Sequence, residues 1–336
     1  MPRIPRLDAF QRRHRVIGFP IAVFYKFFDD QGSYLTALIA YYGLLSLFPL
    51  LLLLSTGLGV VLRGNPDLQQ QIVDSALSQV PVIGRDLQTP DQISGSPTSF
   101  VVGAVGAIYG GLGVAQAIQN AMNTAWSVPR NSRPNPFKVR GKSIVLLLII
   151  ALQVVLTTAL TSLDRSGTLS DVISGTFSSV VVLLLTALVS AAIFALIFRF
   201  SAAVDLGWRD VLPGAVLAAI AWLALQHFGA VYIQHVVSDA GETSGTFALV
   251  LGLIAFLYLI GLTVVLATEV NVVHARRLHP RSLLTPFTDA VVLTPADERQ
   301  YTEAAQAQRN KGFERIEVEF DDPDEVAARE DAPPER

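Results

Sequence analysis

Residues 244–277 read SGTFALVLGLIAFLYLIGLTVVLATEVNVVHARR. No charged residue occurs between Ser244 and Thr268. Twenty-two residues separate Phe247 from Glu269, about 33 Å of helix against a hydrocarbon core of roughly 30 Å. The run is therefore a membrane span. Glu269 sits at its end, just ahead of Asn271, His274, Arg276 and Arg277. A carboxylate there reads in three ways: a water-facing end residue, a partner for a positive charge elsewhere, or part of a pathway.

Working outward, five more segments are long and apolar enough to cross a bilayer. The full set is about 35–62, 98–118, 143–163, 176–198, 211–233 and 246–270. No turn residues interrupt Leu44–Leu54, so the first is one helix, kinked at Pro49. Only 16% of the 336 residues are charged, against about 25% in a soluble domain. The fold class is all-α, a polytopic membrane protein with six transmembrane helices.

Lysine and arginine set its direction. The N-terminal segment carries six, the loop 119–142 five, the loop after the fourth span two and the C-terminal segment nine. The opposite side carries Arg63, Arg85 and Arg165. This places both termini in the cytoplasm of a multi-pass inner-membrane protein, with no cleavable signal peptide.

Three regions are expected: 1–33, a basic cytoplasmic N-terminus; 34–275, the transmembrane domain; and 276–336, a cytoplasmic tail. In the first, Ile17, Ile21, Phe24 and Phe28 share one face of a helix expected to lie along the membrane surface. The stretch 65–84 reads as a short amphipathic helix in the first outer loop. In the tail, Thr294 as N-cap and Pro295 at the first helical position predict a short helix. The acidic, proline-containing end from Asp321 has little to bury and reads as disordered.

Polar residues inside the spans are costly, so their placement carries information. The first span aligns Tyr42, Ser46 and Pro49, with Tyr41 alongside. The second aligns Gly103, Gly106, Gly110 and Gly113, then Gln116, Asn120 and Asn123, with Gln119 beside them. The third aligns Gln153 and Thr157, and the sixth brings Tyr258 into one stripe with Glu269. These stripes read either as contacts that bond helices together or as the lining of a shared, partly wet cavity. Arg199 ends the fourth span at the depth of Glu269, so the two are expected to form an ion pair. Asn271 is a polar helix-end residue. His227 reads as a hydrogen-bonded structural histidine. Arg130, Arg133, Lys138 and Arg140 are expected to meet anionic lipid headgroups.

Four stretches in order resemble the YihY/BrkB family of bacterial inner-membrane proteins, formerly labelled ribonuclease BN. They are ALIAYYGLLSLFPLLLLL (37–54), GLGVAQAIQNAMNTAWSVPR (111–130), WRDVLPGAVLAAIAW (208–222) and the last span. The family's final span usually ends Gly-Ala-Glu-Leu-Asn; this chain has Ala267-Thr268-Glu269-Val270-Asn271. The resemblance covers about residues 15–280. It implies a six-helix bundle with both ends inside, and it carries a virulence label and suggestions of lipid or envelope-component export.

Several chemistries lack their residues. With no cysteine, disulfides, thiolate nucleophiles and cysteine zinc sites are excluded. The five histidines form neither HxHxDH nor HExxH, and no GxxxxGK[ST] appears. The chain is expected to be no enzyme, with no metal and no cofactor. The expected function is transport or export of a lipid-like or envelope-related molecule. The other class is a scaffold or regulator that recruits a soluble partner through the acidic tail.

Overall fold

The computed structural model describes residues 4–61, 97–165, 175–232, 242–287 and 291–321. The expected outer-loop helix at 65–84 and nearly all of the acidic end lie outside these residues. Nine α-helices are described. They are α1 (Ile4–Arg13), α2 (Arg15–Asp29), α3 (Gly32–Val61), α4 (Pro97–Ala125), α5 (Pro136–Arg165), α6 (Gly175–Ser201), α7 (Trp208–Tyr232), α8 (Glu242–Arg276) and α9 (Pro295–Gln306).

The fold is all-α and polytopic. Five helices, α4 to α8, are long and apolar enough to cross a membrane, and α3 adds an apolar stretch over Gly32–Leu47. The helices overrun the apolar windows that revealed them. The second span extends to Ala125, and the third begins at Pro136. Apolarity marks where lipid stops, whereas the backbone ladder continues until a proline or turn ends it.

Packing closes the six long helices into a ring. Around it, α3 packs on α4, α4 on α5, α5 on α6, α6 on α7, α7 on α8 and α8 on α3. The α3–α4 seam shows how the sequence permits close approach. A Cβ on Gly113 would lie 2.2 Å from the Tyr42 ring, one on Gly110 2.5 Å from Ser46 Cα, and one on Gly106 2.8 Å from Pro49. The glycine stripe of α4 thus receives the Tyr42–Ser46–Pro49 stripe of α3.

One end of the ring carries α1, α2, α9 and the loops 126–135 and 202–207. Backbone bonds run from Arg130 to Ala307 and from Asn131 to Arg309. Lys142 Nζ reaches the Ala202 carbonyl at 2.9 Å. The segments rich in lysine and arginine therefore meet at this end, called the basic end below. The C-terminal end of α4 leans into it, touching α6 and α8 as well as its ring neighbours. The large apolar core lies toward this end and includes Met122, Phe198, Ala215 and Val272. A smaller described cluster farther along the ring is built on Leu47, Leu253 and Phe256.

α2 lies across the basic end. Ile17, Phe24 and Phe28 are exposed on one face, and Ala22, Val23, Lys26 and Phe27 are buried on the other, where α2 packs on α8. Two aromatic rings facing outward beside buried small residues suit a helix lying along a membrane surface.

The α7–α8 seam has the least slack. A Cβ on Gly214 would lie 2.0 Å from the Ala267 carbonyl oxygen, which cannot turn aside as a side chain would. Gly214→Ala is expected to cost about 3 kcal/mol, the upper part of the overpacking range. Thermal unfolding in detergent checks it. Gly141→Ala is the control, because nothing lies within 4 Å of that Cβ, and it should leave the midpoint unchanged or raise it.

Candidate functional site: a buried charge cluster at the basic end

Helical spacing puts Ala22 and Lys26 on the inner face of α2, and Asp30 follows one turn after Lys26. Lys26 is 1% exposed and Glu269 is fully buried. The ammonium donates to Asp30 Oδ2 and, at 2.9 Å, to the Ala125 carbonyl at the end of α4. Glu269 Oε2 stands 3.7 Å from it. One lysine thus joins α2, α4 and α8.

A second cation extends the cluster. The Arg281 side chain is completely buried. Its Nη1 donates to Asp29 Oδ2 at 2.5 Å and its Nε to Asp297 Oδ1 at 2.6 Å. Its guanidinium also lies over the rings of Tyr25 and Tyr301. Asp297 does double duty: with Thr294 it forms the capping box that starts α9, and it accepts from the Ser282 N–H at 2.9 Å. Two cations therefore face four carboxylates, and Asp29 and Asp30 adjoin in sequence.

Removing charge from water is costly unless it is paired, and two carboxyls on one cation cannot both ionise freely. Burial pushes the Asp30 carboxyl above its usual range; Lys26 pulls it back and Asp29 adds to the push. Burial alone would lower the Lys26 ammonium, but Glu269 and Asp30 outweigh it and hold it above its usual range. Neither Glu269 carboxyl oxygen has a hydrogen-bond partner among the described residues, so its charge is met by the Lys26 ammonium at 3.7 Å alone. The site therefore sets an excess of buried carboxylate beside a fixed ammonium, at the point where the surface helix meets the last span.

The expected Arg199–Glu269 pair is not formed. Arg199 is exposed and lies 4.6 Å over the Trp208 ring. The two residues share a depth, but α7 stands between their helices in the ring. Lys26 takes the place expected for Arg199. Its signal in the sequence is a lone lysine on the face opposite Phe24 and Phe28, one helical turn before Asp30. Arg199→Met should cost no more than about 1 kcal/mol, the worth of an exposed cation–π contact. A thermal melt that shows a larger loss would contradict this placement.

The amides mostly bond helices and loops together. Gln119 Nε2 donates to Ser143 Oγ at 2.9 Å, joining α4 to α5. Asn120 Oδ1 accepts from Arg133 at 3.2 Å, and Asn123 Oδ1 accepts from the Ala203 N–H at 2.8 Å. Asn271 Oδ1 accepts from the Gly214 N–H at 2.6 Å, joining α8 to α7. This contact and the bare Gly214 give WRDVLPGA its physical reason. Elsewhere, Tyr41 and Gln116 face outward, Tyr258 is half-buried, and Gln153 and Thr157 are buried on α5. Arg130, Lys138 and Arg140 are exposed, Arg133 is half-buried, and His227 is exposed.

Residues 23–289 match the family described as Virulence factor BrkB. The chain belongs to the BrkB family. The match takes in all of Lys26, Asp29, Asp30, Glu269 and Arg281, so the charge cluster lies within the BrkB region, and Asp297 lies just beyond it. The chain is also similar to the ribonuclease-like protein YfkH of Bacillus subtilis (strain 168), with 25% identity over 276 residues, 79% of this chain and 98% of that protein. No solved structure matches it.

Proposed function

We propose that this BrkB-family protein is an inner-membrane transporter or exporter of a lipid-like or envelope-related amphiphile, with both termini in the cytoplasm. The observation that carries this reading is the closed ring of six helices, plugged at its basic end by α4 and tied there by the Lys26 cluster. Such a ring suits a path that is shut at this end. The spans carry hydroxyls and amides in place of midplane charges, which suits an amphiphile's headgroup better than a bare ion. Exposed Arg130, Lys138 and Arg140, with Arg133 behind them, would meet anionic headgroups at the cytoplasmic face. Proton uptake by the excess carboxylates around Lys26 would supply coupling.

The reading includes no enzymatic step. YfkH is named ribonuclease-like, but metal-dependent phosphodiester cleavage needs clustered ligands. Among the described residues, no three histidine or acidic side chains stand close enough together to hold a metal ion. A scaffold role has one observation in its favour. α9 is docked firmly at the basic end, so the acidic stretch after it would be presented to a soluble partner.

The test is movement of headgroup-labelled anionic and neutral lipids in proteoliposomes, for wild type and Glu269→Gln. Transport predicts movement that the substitution slows in a folded protein. No movement by either protein, with or without a proton gradient, would shift the reading to the scaffold.

A further inference from the structure

Between α1 and α2 at the basic end lies a pocket of about 260 Å³, lined by Gln11, Arg12, Arg13, Arg15, Gly18, His279 and Pro280. We propose that this pocket binds a phosphate ester of a hydroxylated alcohol, the chemistry of a glycerophosphate headgroup. It does not depend on the transport reading.

Charge is the first argument. Three arginines line the pocket, and the nearby carboxylate, Asp8, is already engaged. Arg12 Nε lies 2.6 Å from Asp8 Oδ2, and the Leu283 N–H donates to Asp8 Oδ1 at 2.9 Å. Arg12 is further held by Ser282 Oγ at 2.6 Å. Arg13 and Arg15 form no ion pair among the described residues. With Arg12 paired to Asp8, Arg13 and Arg15 leave the cavity net positive and favour an anion between them.

Unpartnered atoms are the second argument. Gln11 is 3% exposed. Its Nε2 donates to the Arg281 carbonyl at 2.6 Å, which fixes the amide, while its Oε1 has no partner among the described residues. That oxygen borders Gly18, where a Cβ would lie 3.2 Å from it. An acceptor set among arginines fits a ligand that carries a hydroxyl beside its phosphate. His279 Nδ1 is likewise buried and unpartnered. Burial, then Arg15 and His274, hold the His279 imidazole below its usual range; an anion would relieve that crowding.

The source of the headgroup is either a lipid or a soluble ester. Ile17 precedes the pocket residue Gly18 and is exposed, so a lipid with its head in the pocket would lay its chains beside Ile17, Phe24 and Phe28.

The test uses the full chain in phosphatidylcholine nanodiscs. One arm adds phosphatidylglycerol, and the other adds soluble glycerol phosphate, each read by thermal shift and native mass spectrometry. Arg13→Gln with Arg15→Gln should weaken binding about thirtyfold, from about 1 kcal/mol for each basic residue. Both arginines are exposed, so the fold should survive. Arg209→Gln with Lys311→Gln, also exposed, should change binding little. Saturable binding in either arm that the first pair weakens and the second does not would establish the site, and the arm would name the source. Equal losses in both pairs would mean a diffuse basic surface and overturn the proposal, as would no binding in either arm.

Discussion

Lys26→Met is expected to lower stability by about 3–5 kcal/mol, the usual cost of breaking a buried ion pair by removing one partner. The side chain gains little by leaving, because methionine fills similar apolar space. The loss comes from Asp30 and Glu269, which would stay buried without the ammonium between them. The Ala125 carbonyl also loses its donor, worth about 1 kcal/mol. Glu269→Gln alone should cost much less, because Lys26 keeps Asp30 and sheds an excess carboxylate. Adding Glu269→Gln to Lys26→Met should recover part of the loss. Thermal unfolding of the four proteins in one detergent checks the whole pattern. A Lys26→Met protein as stable as wild type would show that the ammonium does not hold α2 to α8.

Arg281→Met has the second large effect. Arg281 joins Asp29 at the end of α2 to Asp297 at the start of α9, so its loss strands two carboxylates on two elements. A cost of about 3–5 kcal/mol is expected, concentrated in the docking of α9 rather than in the ring. Limited proteolysis reads this directly: new cleavage within 291–309 at protease levels that leave wild type intact. Arg276→Met is the comparison. Its pair with Glu303 is 2.6 Å long but partly exposed on each side, and it also donates to the Trp126 carbonyl at 3.0 Å, so it should cost about 1–2 kcal/mol, well below Arg281. Equal cleavage of both variants would contradict the ranking.

Much of the fold was legible because its signals are local. Apolar run length depends on neither neighbours nor ring order, so every span was visible. The cap of α9 was visible too, since Thr294, Pro295 and Asp297 lie within four residues. The glycine stripe of α4 and the tyrosine–serine–proline stripe of α3 were each visible, but not that they face each other. The charge cluster was hidden for the same reason. Arg199 and Glu269 share a depth, and depth is readable from sequence. That α7 separates them is a property of the ring, set by packing among helices far apart in the chain. Lys26 was obscured by its neighbours: Phe24 and Phe28 dominate α2's pattern, and nothing in that pattern shows that the helix turns the lysine onto α8.

The ring is tied shut at its basic end, and the proposed transport requires the opposite half to open. Spin-label distances test this most directly, and a chain without cysteine takes labels at chosen sites. Arg140→Cys with Arg209→Cys reports the basic end. Val105→Cys with Phe228→Cys, on α4 and α7 across the ring, reports the far half. In lipid bilayers the account predicts one narrow distance for the basic pair and two populations for the far pair. A single narrow distance for both pairs, unchanged by pH or by added lipid, would contradict it and make the bundle a static scaffold.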